Sequence, residues 1–183
     1  FNALRDILHT WGQQLDQGGG WQALFWNNHD QPRALNRFGN VDKYRVKSAE
    51  MLAAAIHLSR GTPYIYMGEE IGMTDPHYHS MADYVDIEAK NAYKALLKEG
   101  KSEKAAFAII LAKARDNSRT PMQWDDSANA GFTTGTPWLR STNQKEINVK
   151  DELAHGEIFQ FYQKLIALRK QYDVISDGSY EPF

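Results

Sequence analysis

Leu24-Phe25-Trp26-Asn27-Asn28-His29-Asp30-Gln31-Pro32-Arg33 is the stretch that decides how this chain is read. An apolar run stops abruptly at two amides, an imidazole and a carboxylate, and a guanidinium follows just past a proline. Proline bars easy continuation of regular pairing, so the run reads as a buried strand that ends by delivering a polar cluster to a rim. In parallel α/β proteins the carboxyl ends of the strands are where ligands are handled.

Working outward, the segment from Phe1 to Leu15 carries Leu4, Ile7, Leu8 and Trp11 at offsets of three and four, one face of a helix. Asp16-Gln17-Gly18-Gly19-Gly20 ends it, and Trp21 to Asn27 is the first strand. Beyond the polar cluster, Asp42 to Ser59 reads as a second helix with Val46, Ala49, Leu52, Ala53 and Ile56 as its buried stripe. Gly61 stands where a cap is expected and Pro63 lies just past it. Tyr64-Ile65-Tyr66-Met67 is a second short strand running into Gly68-Glu69-Glu70. Helix, strand, helix, strand in that order favours parallel strands joined by crossover helices.

The remainder is more irregular. Thr74 to Met81 is loop, Ala82 to Glu99 and Ser102 to Ala114 read as helices split by Gly100, and Ser102 is a plausible N-cap. Arg115 to Leu139 is a long connection rich in Gly, Thr, Pro and Asn, and its tryptophans argue for order. Glu157 to Tyr172 is amphipathic, with Ile158, Phe161, Tyr162, Leu165 and Leu168 on its inner face, and Val174 to Tyr180 turns β-like around Asp177-Gly178. Two strands neither bury both faces of a parallel sheet nor close a barrel, so these elements read as part of a larger fold. The opening Phe1-Asn2-Ala3-Leu4-Arg5 lacks Met and reads as cut from something longer.

The bulk numbers narrow the class. With 183 residues, 42% of them hydrophobic, the chain suits one domain with a sizeable core. A formal net charge of −2 offers no attraction to nucleic acid or to an anionic membrane, and neither is expected as a partner. No run approaches the roughly 20 apolar residues of a membrane span. There is no cysteine, which excludes disulfides and fits a cytoplasmic location. Twelve percent aromatic content suits packing, and equally suits sugar sites that use flat apolar faces.

Several residues carry potential chemistry. His29 and Asp30 either hydrogen-bond a polar substrate or act as turn and cap residues. Arg33 either pairs with a carboxylate to orient it or sits in a plain salt bridge. Glu69 and Glu70 read as structural, since neighbours on a strand face opposite ways. Asp86 and Glu88 either favour a helix dipole or rim a pocket. Arg115-Asp116-Asn117-Ser118-Arg119-Thr120-Pro121-Met122-Gln123-Trp124 is a dense polar run. Its guanidinium donors suit a carboxylate or vicinal hydroxyls, and a loop tied by its own hydrogen bonds is the alternative. His57, His77, His79 and His155 lack metal-ligand spacing, and Gly18-Gly19-Gly20 lacks the features of a phosphate loop. No metal or cofactor is expected.

Taken together these motifs resemble those of a known family. Phe25 through Arg33 resembles the fourth signature region of the α-amylase superfamily of glycoside hydrolases. Gly61-Thr62-Pro63-Tyr64-Ile65-Tyr66 with Gly68-Glu69-Glu70 is similar to the family's eighth barrel strand. Arg115 through Trp124, followed by Ala130-Gly131-Phe132-Thr133-Thr134-Gly135-Thr136-Pro137-Trp138, resembles the oligo-1,6-glucosidase, dextran glucosidase and trehalose-6-phosphate hydrolase branch. The resemblance implies an α/β fold, the C-terminal portion of a TIM (β/α)8 barrel. Residues 1–173 would supply strands seven and eight with flanking helices and the long loop after strand eight. Residues 174–183 would open a C-terminal β domain.

The family is retaining, with an Asp nucleophile after strand four and a Glu acid/base after strand five. Neither lies in this stretch by resemblance, so the chain alone is expected to be inactive. The resemblance assigns Asp30 as the third carboxylate, which favours the transition state, and assigns His29, Arg115 and Glu88 to substrate contact. Met67 and Val85 depart from the Gln and Arg common in relatives, and they bear on the exact substrate. The tail Tyr172-Asp173-Val174-Ile175-Ser176-Asp177-Gly178-Ser179-Tyr180 looks more like trehalose-6-phosphate hydrolases, whereas isomaltose-type substrates are the alternative. For a sugar phosphate, Lys90 is the expected cation, with Lys94 and His79 nearby. A non-catalytic interaction domain of the same fold is the competing class, and retention of Asp30 and Arg115 argues against it. The partner expected is a small carbohydrate, with self-association of an incomplete barrel a further possibility.

Overall fold

A computed structural model describes residues 2–179. Among them the elements run α1 (Asn2–Gln17), β1 (Ala23–Leu24), α2 (Ala34–Phe38), α3 (Arg45–His57), β2 (Thr62–Pro63), α4 (Ile87–Lys98), α5 (Glu103–Lys113), α6 (Val149–His155), α7 (Ile158–Gln171) and α8 (Val174–Asp177). Short 3-10 turns at Glu69–Ile71, Met81–Asp83, Arg115–Ser118 and Ala128–Gly131 shape the loops.

The two strands are parallel, as the helix–strand alternation predicts, with Ala23 opposite Thr62 and Leu24 opposite Pro63. They are much shorter than expected. The ladder rests on Thr62 N–H donating to the Gln22 carbonyl at 2.7 Å and Tyr64 N–H to the Leu24 carbonyl at 2.8 Å. Each strand has a single neighbour among the described residues, and Pro63 has no N–H to add. The Tyr64–Met67 strand therefore moves back to Thr62–Pro63. Phe25 and Tyr64, just past the ladder, are 51% and 57% exposed.

The main core joins α2, α3 and α7. Ala34, Leu35, Ala49, Leu52, Ala53, Ile158, Tyr162 and Leu165 are buried together, with Trp26 packed beside them. The periodic stripe of α3 is thus the face expected, and that of α7 is too, save Leu168, which is 39% exposed. A rotation of 100° per residue carries a position ten past Ile158 off the buried arc. Arg169 faces inward instead and donates to the carbonyls of His57, Ser59 and Gly61, tying α7 to the end of α3. The hairpin of α4 and α5 forms a second core around Tyr84, Ala89 and Ile110, and Ser102 caps α5 by accepting from Ala105 N–H at 3.3 Å.

Two expectations change. The segment from Val174 is helical as far as Asp177 rather than β-like, because Gly178, Asp177 and Ser176 N–H groups close back on Val174 and Asp173 carbonyls. Tyr180 and Phe1 lie outside the described residues. The expected apolar face of α1 exists but is not covered among the described residues: the helix has no buried residue, Leu4 and Leu8 are half-buried, and Ile7 and Trp11 are 55% and 53% exposed.

Candidate functional site

One side of the site is carried by the loop between Asn27 and Ala34. Asn27, itself buried, accepts from Ala34 N–H at 2.6 Å and so closes the loop on itself. Inside it, Asn28 Oδ1 accepts from Asp30 N–H at 2.9 Å, an Asx turn that exposes the next side chains. Arg33 N–H donates to Asp75 Oδ1 at 2.8 Å. With its ends pinned, the loop presents His29 and Asp30 outward, their side chains 70% and 51% exposed.

The chain from Asp83 to Arg119 supplies the opposing groups. Asp116, fully buried, accepts from the N–H groups of Val85 and Asp86 at 2.9 Å each. That holds the Asp86 carboxylate against Arg115, whose Nε and Nη2 both donate to it at 2.8 Å. The bidentate pair consumes one edge of the guanidinium. The Arg115 bond holds the Asp86 carboxyl below the usual range, and Asp86 in turn raises Arg115. The free Nη1 of Arg115 lies 3.6 Å from Asp30 Oδ1 and 3.4 Å from Glu88 Oε2. His29 Nε2 is 3.4 Å from Asp30 Oδ2.

The structure therefore brings Asp30, His29, Arg115 and Glu88 to one place. It adds Arg119, which donates through Nε to the His29 carbonyl at 2.6 Å and through Nη2 to Asp30 Oδ1 at 3.0 Å. The sequence pattern alone assigns Arg119 no role. Spacing gives no signal for it, since Arg115–Ser118 is a 3-10 turn on which a residue four on lies about 120° around. Asp86 and Asp116 were likewise present but unassigned as supports. The resulting surface is a carboxylate fenced by two guanidinium groups and an imidazole, open to solvent on its outer side. Exposed ion pairs of this kind contribute little to stability.

Three expectations are corrected. The Arg33 guanidinium pairs with no carboxylate among the described residues; only its backbone N–H meets one, on Asp75. Arg33 is 1% exposed, donates to the carbonyls of Met67 at 2.5 Å and Ser118 at 3.3 Å, and lies over the Tyr66 ring at 5.3 Å. It is a strut joining the ends of both strands to the Arg115 loop. Lys90 and Lys94 are exposed on α4, but Lys90 is two residues from Glu88 and so about 200° around the helix, away from the side that meets Arg115. Glu69 and Glu70 lie on a 3-10 turn rather than a strand, reached through Gly68 at φ +82°, where a Cβ would strike Met73 Sδ at 2.2 Å. The structural reading holds for Glu69, which accepts from Asn27 Nδ2 at 2.5 Å and from Tyr162 OH at 2.8 Å.

Beneath the loop, burial pushes the Asp75 carboxyl up to about 6, against the opposing pull of Arg33 and Asn117. A carboxyl raised above its unfolded value of 3.8 stabilises the fold most where it is protonated. That contribution is present below about pH 4 and is lost as pH rises through about 6. Asp75→Asn keeps an oxygen for Arg33 N–H and removes the titration. Urea midpoints across this window should show the variant gaining up to ~3 kcal/mol relative to wild type between pH 4 and 6.5. Parallel curves would place Asp75 in water.

The family described as alpha amylase, catalytic domain, matches residues 1–178. The chain is 51% identical over 183 residues to the trehalose-6-phosphate hydrolase of Bacillus subtilis, covering 99% of this chain and 33% of that protein. It is 53% identical over 181 residues to an oligo-1,6-glucosidase of Parageobacillus thermoglucosidasius, covering 97% and 32%. The crystal structure of Bacillus licheniformis trehalose-6-phosphate hydrolase superposes with a TM-score of 0.92 at 52% identity, over 94% of this chain and 32% of that one. The chain thus spans about a third of the length of the relatives it matches.

Proposed function

Because this chain belongs to the α-amylase catalytic-domain family, we propose that it is the C-terminal part of the catalytic barrel of a retaining α-glucosidase acting on short oligosaccharides. The observation that carries the reading is the meeting of Asp30 with Arg115 and Arg119 across about ninety residues of sequence. In this reading Asp30 accepts hydrogen bonds from two hydroxyls of the sugar whose bond is cut. Its negative charge lies beside the ring where positive charge grows in the oxocarbenium-like transition state. Arg115, turned toward the sugar by Asp86, and His29 supply donors to the same ring, while Glu88 stands on the leaving-group side.

The nucleophile and the acid/base belong to the preceding strands of the family fold. The uncovered face of α1 and the single-sided strands support the same view, since a longer protein would lay its other barrel strands and helices against them. The helical turn at Val174–Asp177 is then the lead into the smaller β domain.

The substrate we favour is trehalose 6-phosphate, hydrolysed to glucose and glucose 6-phosphate in the cytoplasm. The tail and the named relatives in Bacillus subtilis and Bacillus licheniformis support it. Isomaltose-type substrates are the second reading, favoured by the oligo-1,6-glucosidase at 53% identity. Assay of the longer protein on both decides between them, and a higher kcat/KM on isomaltose removes the phosphate reading. The chain alone should leave p-nitrophenyl α-glucoside intact, lacking two of the three carboxylates. Turnover that persists through purification would contradict this.

A further inference from the structure

Glu69 is buried and stands at the root of the loop that carries Asp30. Its two oxygens take one donor each, from Tyr162 on α7 and from Asn27. All three side chains are buried, at 9%, 2% and 7% exposure. Asn27 is the decisive link because its two ends are chemically different. With its amide nitrogen held by Glu69, its oxygen is turned to Ala34 N–H, the bond that closes the loop. Were the amide to flip, its NH2 would meet Ala34 N–H donor to donor, and the closure would be lost. Glu69 therefore selects one of two amide orientations, and that choice sets where the N-terminal end of residues 28–33 sits relative to the Arg33–Ala34 end, which Asp75 and the core hold.

Resting on the α-glucosidase reading, we propose that Glu69 is a positioning residue for Asp30. It acts through Asn27 and has no contact of its own with the substrate. The C-terminal end of the loop is also held by Arg33 on Asp75, Met67 and Ser118, and Gln31 accepts from Arg37. At Asp30 itself the restraints are the Asx turn from Asn28 and the guanidinium groups of Arg119 and Arg115. Arg119 sits on a separate segment, so a loop that reopens at Asn27 and Ala34 pulls Asp30 away from a fixed guanidinium. A misplacement of about 1 Å at such a site costs up to ~100-fold in rate. Burial raises the Glu69 carboxyl, while Asn27 and Tyr162 draw it back down. The group is thus specified by its partners rather than by solvent.

The test uses the full-length protein. Glu69→Leu and Asn27→Leu should each lower kcat about 10- to 100-fold with KM within about threefold. Their double variant should be no worse than the poorer single, since both break one path. Glu69→Gln can point its oxygen at Asn27 and its amide at the Tyr162 oxygen, so kcat should stay within about threefold of wild type. Amide exchange at Ala34 should accelerate in Glu69→Leu and not in Glu69→Gln. Where Glu69→Leu fails to fold, Tyr162→Phe removes one of the two anchors and should speed Ala34 exchange while lowering kcat two- to fivefold. Multiplicative losses in the double variant, or unchanged Ala34 exchange in Glu69→Leu or Tyr162→Phe, overturn the proposal. Should Ala34 exchange respond as expected while the wild-type protein cleaves no glucoside, the glycosidase reading fails and the control of the loop by Glu69 stands.

Discussion

Asp30→Asn in the full-length protein is expected to lower kcat about a thousandfold, ~4 kcal/mol in the barrier, with little change in KM. The asymmetry follows from what an amide keeps. Asn retains an oxygen that accepts one sugar hydroxyl, so ground-state binding survives in large part. It loses the charge that would face a developing cation, and that term exists only in the transition state. Asn also turns an NH2 toward Arg119 or Arg115 in one of its two orientations, where the carboxylate now accepts at 3.0 Å and faces a second cation at 3.6 Å. The same change should hardly move the unfolding midpoint. The carboxylate is 51% exposed, and ion pairs at that exposure are worth under about 1 kcal/mol. Steady-state kinetics and a urea melt on one preparation separate the two effects. A variant that keeps kcat within tenfold would mean that Asp30 does not face the reacting sugar.

The helices α3 and α7 were readable because their apolar residues recur with the helical period and meet each other: His57 lies edge-on to Tyr162 at 5.3 Å. The strands were readable in order and direction but not in length, since pairing depends on neighbours that the sequence pattern does not reveal. The helix α2 escaped notice because its first N–H groups are served from a distance, Ala34 by the side chain of Asn27, leaving no local cap pattern. At the site, Asp30 and His29 were legible from an apolar run that stops at polar groups. Arg33 was not. Either reading of it assumed a carboxylate partner, whereas the structure satisfies it with carbonyls from Met67 and Ser118, positions that no spacing rule connects. Arg115 was legible as a donor, but its aim depends on Asp86 and behind that on Asp116, a chain of supports visible only in space. In each case local periodicity carried the information that is local, and the polar network carried the rest.

Arg33→Met is expected to do the reverse of Asp30→Asn: destabilise by about 3–5 kcal/mol, and reduce activity chiefly through loss of folded protein. Burial lowers the pKa of this guanidinium, against the pull of Tyr66, Asp75, Glu69 and Glu70. A cation buried this deeply survives only where its surroundings repay its lost hydration. Here they do so with two carbonyls, the Tyr66 ring and three nearby acidic groups. Methionine matches the stem of the side chain and leaves little cavity, so the cost is polar. The carbonyls of Met67 and Ser118 lose their donor, and the acidic groups lose the charge between them. The carboxyls of Glu69 and Glu70, already raised by burial, should rise further. More of their ionisation would then be suppressed in the folded protein, and the variant should lose stability most steeply as pH increases. Arg33→Lys should recover only part of the loss, because one ammonium cannot reach two carbonyls in the plane that the guanidinium spans. Urea midpoints at pH 5 and pH 8, at unchanged slope, measure both claims. A midpoint shift below that expected for about 1 kcal/mol would show that Arg33 is a passenger in the core rather than the strut between the strand ends and the Arg115 loop.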